Sequence, residues 1–188
     1  MLYPDFIETV HSHLEDSTQD TFTDEAIGRW LAMGYGAFFE ATRDYVDVVG
    51  LMTTAGVTRY TLEPRSVEVI KVTLDGTTLS RVGYGSSESG YAVTSTEIML
   101  TPAPSAGQEL VYTRIAVPPV PNDPDDEIPD RWVQPMLNYC MAKAFEQIER
   151  FDNSMWYIGR FSEDILRFMD VRVATMAADT TYEPTMVS

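Results

Sequence analysis

The stretch that decides the fold is residues 129–150, PDRWVQPMLNYCMAKAFEQIER, which has the pattern of a helix. Apolar side chains recur along it at intervals of three and four residues, which places them on one broad face. That face comprises Val133, Met136, Leu137, Cys140, Met141, Ala144, Phe145 and Ile148. Asp130 is positioned to cap the start of the helix, and Pro129 suits the position just before it. Pro135 falls in or near the first turn, where a missing N–H costs little, or it kinks the helix there.

Two large aromatic side chains, Trp132 and Tyr139, lie seven residues apart on the otherwise polar side of this helix. Two interpretations are open. Either they pack against another part of the same chain, or they contact a second subunit, because Trp and Tyr are enriched at protein–protein interfaces. The second interpretation makes both of them candidate interface residues.

Composition limits the functions open to the chain. Its 188 residues are 44% hydrophobic, which suits one globular domain or two small lobes with a real core. There are 13 Lys and Arg against 29 Asp and Glu, so the formal net charge of −16 repels nucleic acid rather than binding it. The sequence has no long apolar run and no signal peptide, so we expect a protein of the reducing cytoplasm without membrane contact.

Two helices are predicted near the start of the chain, at residues 4–15 and 24–44. Thr23 is the expected cap of the second helix. Gly34 lies on the apolar face of that helix, which indicates the close approach of another helix. Phe39 lies on the other side and is a further candidate for an outer contact.

Residues 46–118 change to short segments rich in Val, Thr and Tyr and broken by Gly and Pro, which is typical of strands. Asp75-Gly76 predicts a tight hairpin, because a type I′ turn needs positive φ at both central residues. We expect Ile70, Val72 and Leu74 to share one face. The predicted strands are 46–52, 57–62, 67–74, 77–82, 97–101 and 109–117, the last two forming a hairpin.

These strands are local in sequence, and a helix precedes and follows them. The prediction is therefore an α+β fold in which an antiparallel sheet or small sandwich is inserted into a helical lobe of about four helices. The helical lobe takes residues 1–45 and 129–177, and the inserted lobe takes residues 46–118.

A last helix is predicted at residues 154–177, after a break at 151–153. Its expected buried face comprises Ile158, Phe161, Ile165, Phe168, Met169 and Met176, with Glu163, Asp164 and Arg167 opposite. Trp156 lies off the buried face, so it joins the candidates for a contact with another subunit.

Two segments lack any period. The acidic, Pro-rich linker at residues 119–128 is interpreted as a stiff, solvated loop in preference to a divalent-ion site, because prolines restrict the turn that ligation needs. The C-terminal arm at residues 178–188 is either a frayed terminus or a segment that orders on a partner, with Tyr182 and Met186 as anchors.

A search for chemistry finds no catalytic constellation and no cofactor motif. The sequence has no G-x-S-x-G, no Gly-rich phosphate loop, no C-x-x-C and no H-E-x-x-H. His11 and His13 are two residues apart, which is poor spacing for one metal ion on a helix, and both are expected to be exposed or half-buried. The single cysteine, Cys140, is expected to be a small core residue. Carboxylates are abundant, but no pair stands out as a catalytic site.

Four segments occur in the order and spacing of a known pattern: TTAGVTRYTLEP (53–64), EVIKVTLDGTTL (68–79), IMLTPAPSAGQELVYTRIAVPP (98–119) and DEIPDRWVQPMLNYCMAKAF (126–145). The chain resembles the head–tail adaptor proteins of short-tailed bacteriophages, also called connector or tail-tubular-A-like proteins. The resemblance covers most of residues 20–150.

The resemblance implies a structural virion protein and not an enzyme. Such proteins form a ring, typically a dodecamer, below the portal; the ring continues the DNA channel and docks the tail or nozzle protein. It implies a location in the virion neck and assembly in the host cytoplasm. Acidic channel walls would let DNA pass without binding. The alternatives are another virion part, such as a tail-terminator or receptor-binding module, and, with least support, an enzyme.

The resemblance also gives roles to particular side chains. The C-terminal segment of such proteins reaches onto the portal, which makes Tyr182, Glu183, Pro184 and Met186 candidate portal-binding residues. Contacts between neighbouring subunits of a ring are head-to-tail. The candidates for those contacts are Phe39, Trp132, Tyr139 and Trp156.

Overall fold

The computed structural model describes residues 1–15 and 21–179. Within these residues, four helices and seven strands in two antiparallel sheets give an α+β fold, which confirms the predicted fold class. The chain divides into two compact units. A helical unit combines Met1–Asp44 with the chain from Pro118 onward, and a strand unit comprises Tyr45–Val117.

The described part of the helical unit contains four helices. They are α1 (Tyr3–His13), α2 (Asp24–Thr42), α3 (Asp130–Gln147) and α4 (Phe151–Asp179). The Thr23 hydroxyl accepts a hydrogen bond from the Ala26 N–H at 3.2 Å, which confirms the predicted cap of α2. The cap position of α3 is Pro129, so the prediction that Asp130 fills it is wrong; Asp130 is the first helical residue.

The corner between α3 and α4 lies earlier in the chain than predicted. Glu149 has a left-handed backbone with φ 58°. Its N–H donates to the carbonyl of Glu146, and the N–H of Arg150 donates to that of Phe145 at 2.9 Å. This is the Schellman arrangement that ends helices. The helix α4 consequently starts at Phe151, within the predicted break.

The core of the helical unit is built around α3, which packs against α1, α2 and α4. Apolar and polar sides of α3 are both covered, and every residue from Pro135 to Ala142 is buried. A helix with neighbours on three sides has no solvent face over its middle turns. The location of α3 at the centre therefore overrides the two-sided pattern of its sequence.

The strand unit contains two antiparallel sheets. The first has the order β1-β7-β3-β4 and the second the order β2-β6-β5. The strands are β1 (Val46–Met52), β2 (Arg59–Thr61), β3 (Ser66–Leu74), β4 (Thr77–Thr78), β5 (Gly90–Val93), β6 (Glu97–Thr101) and β7 (Glu109–Ala116). Their shared core comprises Tyr60, Leu62, Val69, Val72, Tyr91, Ile98, Leu100, Leu110 and Tyr112.

The predicted hairpin between residues 97–101 and 109–117 is wrong, because β6 and β7 belong to different sheets. The connection between them is anchored to Thr53 at the end of β1. The Thr53 hydroxyl donates to the carbonyl of Ser105 at 2.7 Å, and the Thr53 N–H donates to that of Gln108 at 2.9 Å. These bonds direct the chain from the second sheet into the first.

The predicted alternation of β3 is also wrong at one position. Ile70 is 48% exposed, whereas Val69 and Val72 are buried. The pairing of β3 with β7 shifts register between Val69 and Lys71. A β-bulge at this point changes which side chains face the core, and no local sequence signal marks it.

The Asp75-Gly76 turn is confirmed, with φ 47° and 77°, and it joins β3 to β4. The return strand is shorter than the predicted 77–82, since β4 ends at Thr78. The strand β5 was not predicted. It begins at Gly90, where a Cβ would lie 2.3 Å from the carbonyl oxygen of Ser80, so the backbones approach too closely for any other residue.

Candidate interaction surface

Three of the four predicted interface aromatics lie inside the helical unit. Phe39 is fully buried, and Trp132 and Tyr139 are 5% and 8% exposed. A side chain with so little exposed surface has almost nothing to offer a neighbouring chain. The prediction that these three side chains lie on an outer surface is therefore wrong, and packing within the chain, the alternative left open by the sequence, accounts for them.

The ring of Trp132, in the first turn of α3, packs against α2. Its centroid lies 4.6 Å from that of Phe39 in an edge-to-face arrangement, and its indole N–H donates to the Asp44 carboxylate at 3.0 Å. The guanidinium of Arg131 lies 4.9 Å from the ring centroid and forms an ion pair with Asp44. Packing and hydrogen bonding are both satisfied within the chain, as buried Trp requires.

Tyr139 fills the space that Gly34 leaves on α2. A Cβ at Gly34 would lie 3.0–3.3 Å from three carbon atoms of Tyr139. On its other side, the Tyr139 ring lies 5.0 Å from that of Phe161 on α4. The close helix approach predicted from Gly34 is confirmed, and Tyr139 is the side chain that makes it.

Trp156 differs from the other three, because it is 55% exposed. Its ring meets that of Tyr157 edge-to-face at 4.7 Å, and the guanidinium of Arg160 lies 5.1 Å from its centroid. These neighbours are all on α4. Trp156 is thus held in place by its own helix while most of its surface faces solvent.

An exposed apolar stripe runs along α4, and the sequence analysis placed part of it in the core. The α4 stripe, as we define it, comprises Phe151, Met155, Ile158, Leu166 and Met169, all exposed. The sequence analysis assigned Ile158 and Met169 to the buried face, and this assignment is wrong, because both are exposed. Phe161 is buried as predicted. Met155 and Leu166 are eleven residues apart, as are Ile158 and Met169. Apolar residues that repeat every eleven positions lie on one face of a helix and can pack against another helix. This spacing is the feature of the sequence that could have identified the stripe.

A buried polar contact explains why α4 has this orientation. The Asn138 side-chain amide on α3 donates to the Asp164 carboxylate on α4 at 2.8 Å, and both side chains are buried. Asp164 had been predicted to face outward. Met155 precedes Asp164 by nine residues, which is two and a half helical turns, so the two side chains point in opposite directions. With Asp164 bonded to α3, the α4 stripe faces solvent.

Among the described residues, the cysteine, the buried histidine and the acidic linker lie in separate places. Burial raises the pKa of the Cys140 thiol, which keeps it protonated and inert, as expected of a core residue. His11 is buried, contrary to expectation, with Nε2 2.9 Å from a carboxylate oxygen of Asp24. In the linker, the N–H groups of Asn122 and Asp123 bond the Asp126 carboxylate and lower its pKa.

Within residues 1–15 and 21–179, no group of three or more His, Cys, Asp and Glu side chains is placed to hold a metal ion. In the same part of the chain, no helix combines the length and apolar character needed to span a bilayer. The four candidate portal-binding residues, Tyr182, Glu183, Pro184 and Met186, lie outside the described residues.

Exposed apolar side chains along a helix, such as the α4 stripe, are typical of a protein that binds other proteins. Comparison with protein families matches the chain to the SU10 adaptor protein model over residues 1–181. The chain belongs to the SU10 adaptor protein family. A search of curated protein sequences found no significant match. Membership makes this chain a structural phage adaptor, a virion protein that interacts with other head and tail proteins of the phage.

Proposed function

We propose that this adaptor forms a ring below the portal, continues the DNA channel from the head and docks the tail. Family membership carries the proposal. In support, the helical unit presents the α4 stripe, which a monomer would leave in water. Exposed apolar side chains that recur along one face of a helix are typical of interaction sites in soluble proteins.

The surface between neighbouring subunits in this proposal is the α4 stripe together with Trp156. Apolar side chains along a helix suit packing against another helix, and an exposed Trp is a frequent centre of binding energy. In a ring the contact is head-to-tail, so the stripe meets a different surface of the next subunit. We propose twelve copies, as the resemblance implies.

The C-terminal arm is proposed to bind the portal through Tyr182, Glu183, Pro184 and Met186. The channel is proposed to let DNA pass without specific binding, since a chain with a net charge of −16 repels phosphates. Assembly is proposed to take place in the host cytoplasm.

Native mass spectrometry tests the ring, with the adaptor alone and mixed with the portal ring of the same phage. We expect a stoichiometric ring on the portal. Met155→Gln combined with Leu166→Gln should abolish ring formation and leave the circular dichroism spectrum unchanged. Met33→Gln, which alters an exposed methionine on α2 outside the stripe, is the matched control.

A folded double variant that still forms the ring would exclude the α4 stripe as the subunit interface. Truncation after Asp179 tests the arm separately and should prevent binding to the portal. An adaptor that ignores the portal under all of these conditions would contradict the proposed function and direct attention to another virion role, such as tail termination or receptor binding.

A further inference from the structure

The strand β1 forms one edge of the four-stranded sheet in the strand unit. Over all seven residues from Val46 to Met52 it pairs with β7 in regular antiparallel register. No other strand in the described part of the chain pairs with it. At about 3.3 Å per residue, its free edge is about 23 Å long.

The hydrogen-bond pattern identifies the backbone groups that face this free edge. The Ala116 N–H donates to the carbonyl of Tyr45, and the Thr53 N–H donates to that of Gln108. Bonded and non-bonded pairs alternate in an antiparallel ladder, so the odd-numbered residues of β1 bond β7. The N–H and C=O groups of Val46, Val48, Gly50 and Met52 therefore point away from β7. One N–H of this row, that of Val48, donates to the Asp47 carboxylate at 2.9 Å.

Natural proteins protect such edges with Lys, Pro, bulges or covering segments. The sequence of β1, VDVVGLM, contains neither Lys nor Pro, and its register has no bulge. Val46 and Val48 are exposed, and Met52 is 63% exposed. On the other side of the sheet, β3 has two register shifts, a half-buried Glu68 and an exposed Lys71, and its last two residues pair with β4. One edge of this sheet is protected and the other is open.

The open edge is also held rigid. Asp47 accepts two hydrogen bonds from the Arg114 guanidinium on β7, at 2.8 and 3.1 Å. Val49 and Leu51 pack against the core of the strand unit. Binding of a further strand would consequently cost little conformational entropy in β1, because β1 is already ordered.

We propose that the free edge of β1 binds an extended segment of the tail protein, which adds to the sheet as a further antiparallel or parallel strand. This inference rests on the proposed ring function. Pairing of β1 with β1 of another copy would form a two-fold dimer, which does not extend into a ring. In the three-stranded sheet, the outer edge of β5 is bonded by residues 80–82, and the outer edge of β2 is three residues long, so neither offers another copy an edge that matches the seven residues of β1. In the proposed function the C-terminal arm contacts the portal, and of the two proposed partners this leaves the tail protein for the edge of β1.

Main-chain bonding gives affinity in this mode of recognition, and side-chain pockets add specificity. The partner segment should therefore be about seven residues long, free of proline at bonded positions, and apolar where it passes Val48 and Met52. Its peptide groups would bond the three N–H and four C=O groups that β1 leaves open.

Hydrogen exchange resolved to single amides tests the inference on the full-length adaptor, alone, on the portal ring, and on the portal ring with the tail protein of the same phage. Before the tail protein is added, the amides of Val46, Gly50 and Met52 should exchange fast, and those of Asp47, Val49 and Leu51 slowly. Addition of the tail protein should slow the first three by about tenfold or more.

Val48→Lys places a charge beside the free edge and should weaken tail-protein binding by about tenfold or more, with the adaptor ring intact. Ile70→Lys is the matched control, because it puts the same charge on an exposed apolar position of β3, away from this edge. A tail complex in which the three amides stay fast, or in which the two variants behave alike, overturns the inference and leaves the proposed function standing.

Two other outcomes also decide the matter. If the three amides become protected on the portal ring without tail protein, and truncation after Asp179 removes that protection, the segment on β1 is the arm of a neighbouring copy and the inference is wrong. If neither ring nor tail complex forms, the proposed function fails and this inference fails with it.

Discussion

The helices α3 and α4 both carry aromatic side chains outside their main apolar faces, but the solvent exposure of these side chains differs between the two helices. Trp132 and Tyr139 on α3 are buried, whereas Trp156 on α4 is exposed. The helix α3 has α1, α2 and α4 around it, while α4 contacts α2 and α3 on one side. An off-face aromatic residue therefore indicates a core position on a central helix and a candidate interface on a peripheral one.

The largest expected difference between the two helices is in stability. Trp132→Ala should lower the free energy of unfolding by about 3–5 kcal/mol, because it opens a cavity and leaves Asp44 without its indole donor. Trp156→Ala should change it by less than about 0.5 kcal/mol, as exposed substitutions do. Urea denaturation followed by circular dichroism measures both. Equal losses for the two variants would contradict the distinction between the helices.

The contact that orients α4 is the second test. Asn138→Ala should cost about 2–3 kcal/mol, since it removes the amide donor from a buried carboxylate, that of Asp164. Gln134→Ala is the control: this exposed side chain donates to the other end of the Asn138 amide at 3.2 Å and should cost less than about 0.5 kcal/mol. If Asn138→Ala is as mild as the control, this hydrogen bond does not orient α4.

The packing of α3 against α2 can be tested with two glycines of α2. Gly34→Ala should destabilise the protein by about 1–3 kcal/mol, because the new methyl group would press on the Tyr139 ring. Gly36→Ala should stabilise it by up to about 1 kcal/mol through helix propensity, as no described atom lies within 4 Å of its Cβ position. Opposite signs in thermal or urea unfolding are the expected result, and two stabilised variants would refute the close approach.

The smallest effect is chemical and leaves the fold intact. Met155 on α4 is 72% exposed, while Met136 and Met141 on α3 are buried. Mild hydrogen peroxide should therefore convert Met155 to its sulfoxide well before the two methionines of α3. Peptide mass spectrometry follows the reaction. Protection of Met155 in the assembled ring would place the α4 stripe in an interface, whereas oxidation of Met136 at the rate of Met155 would contradict the burial of α3.

Local signals in the sequence predicted local features of the fold well. The Thr23 cap, the Asp75-Gly76 turn and the strand–helix class all depend on residues close together in the chain. The pairing of β6 with β2, and of β7 with β1 and β3, depends on contacts across long separations, which no single segment records. The exposure of Ile70 follows from a bulge in the pairing of β3 with β7.

The candidate interaction surface was predicted less well, for a related reason. Helical periodicity shows which residues share a face but does not show how many neighbours a helix has. The sequence therefore grouped Trp132 and Tyr139 with Trp156, and it missed the exposure of Ile158 and Met169. An eleven-residue repeat marked the α4 stripe, but such a repeat occurs both in helix faces that are buried in the core and in faces that are exposed. The repeat alone therefore does not show which of the two the stripe is.

The sequence by itself determined the helices and most of the strands of this adaptor, its acidic charge and, through four ordered motifs, its resemblance to phage adaptors. Tertiary structure alone decided that α3 is central, that Asp164 turns inward, and that β1 ends a sheet with an open edge. The physical reason is that backbone propensity and capping act over a few residues. Burial, in contrast, depends on how many elements meet in space, and it selects among faces that the sequence leaves equivalent.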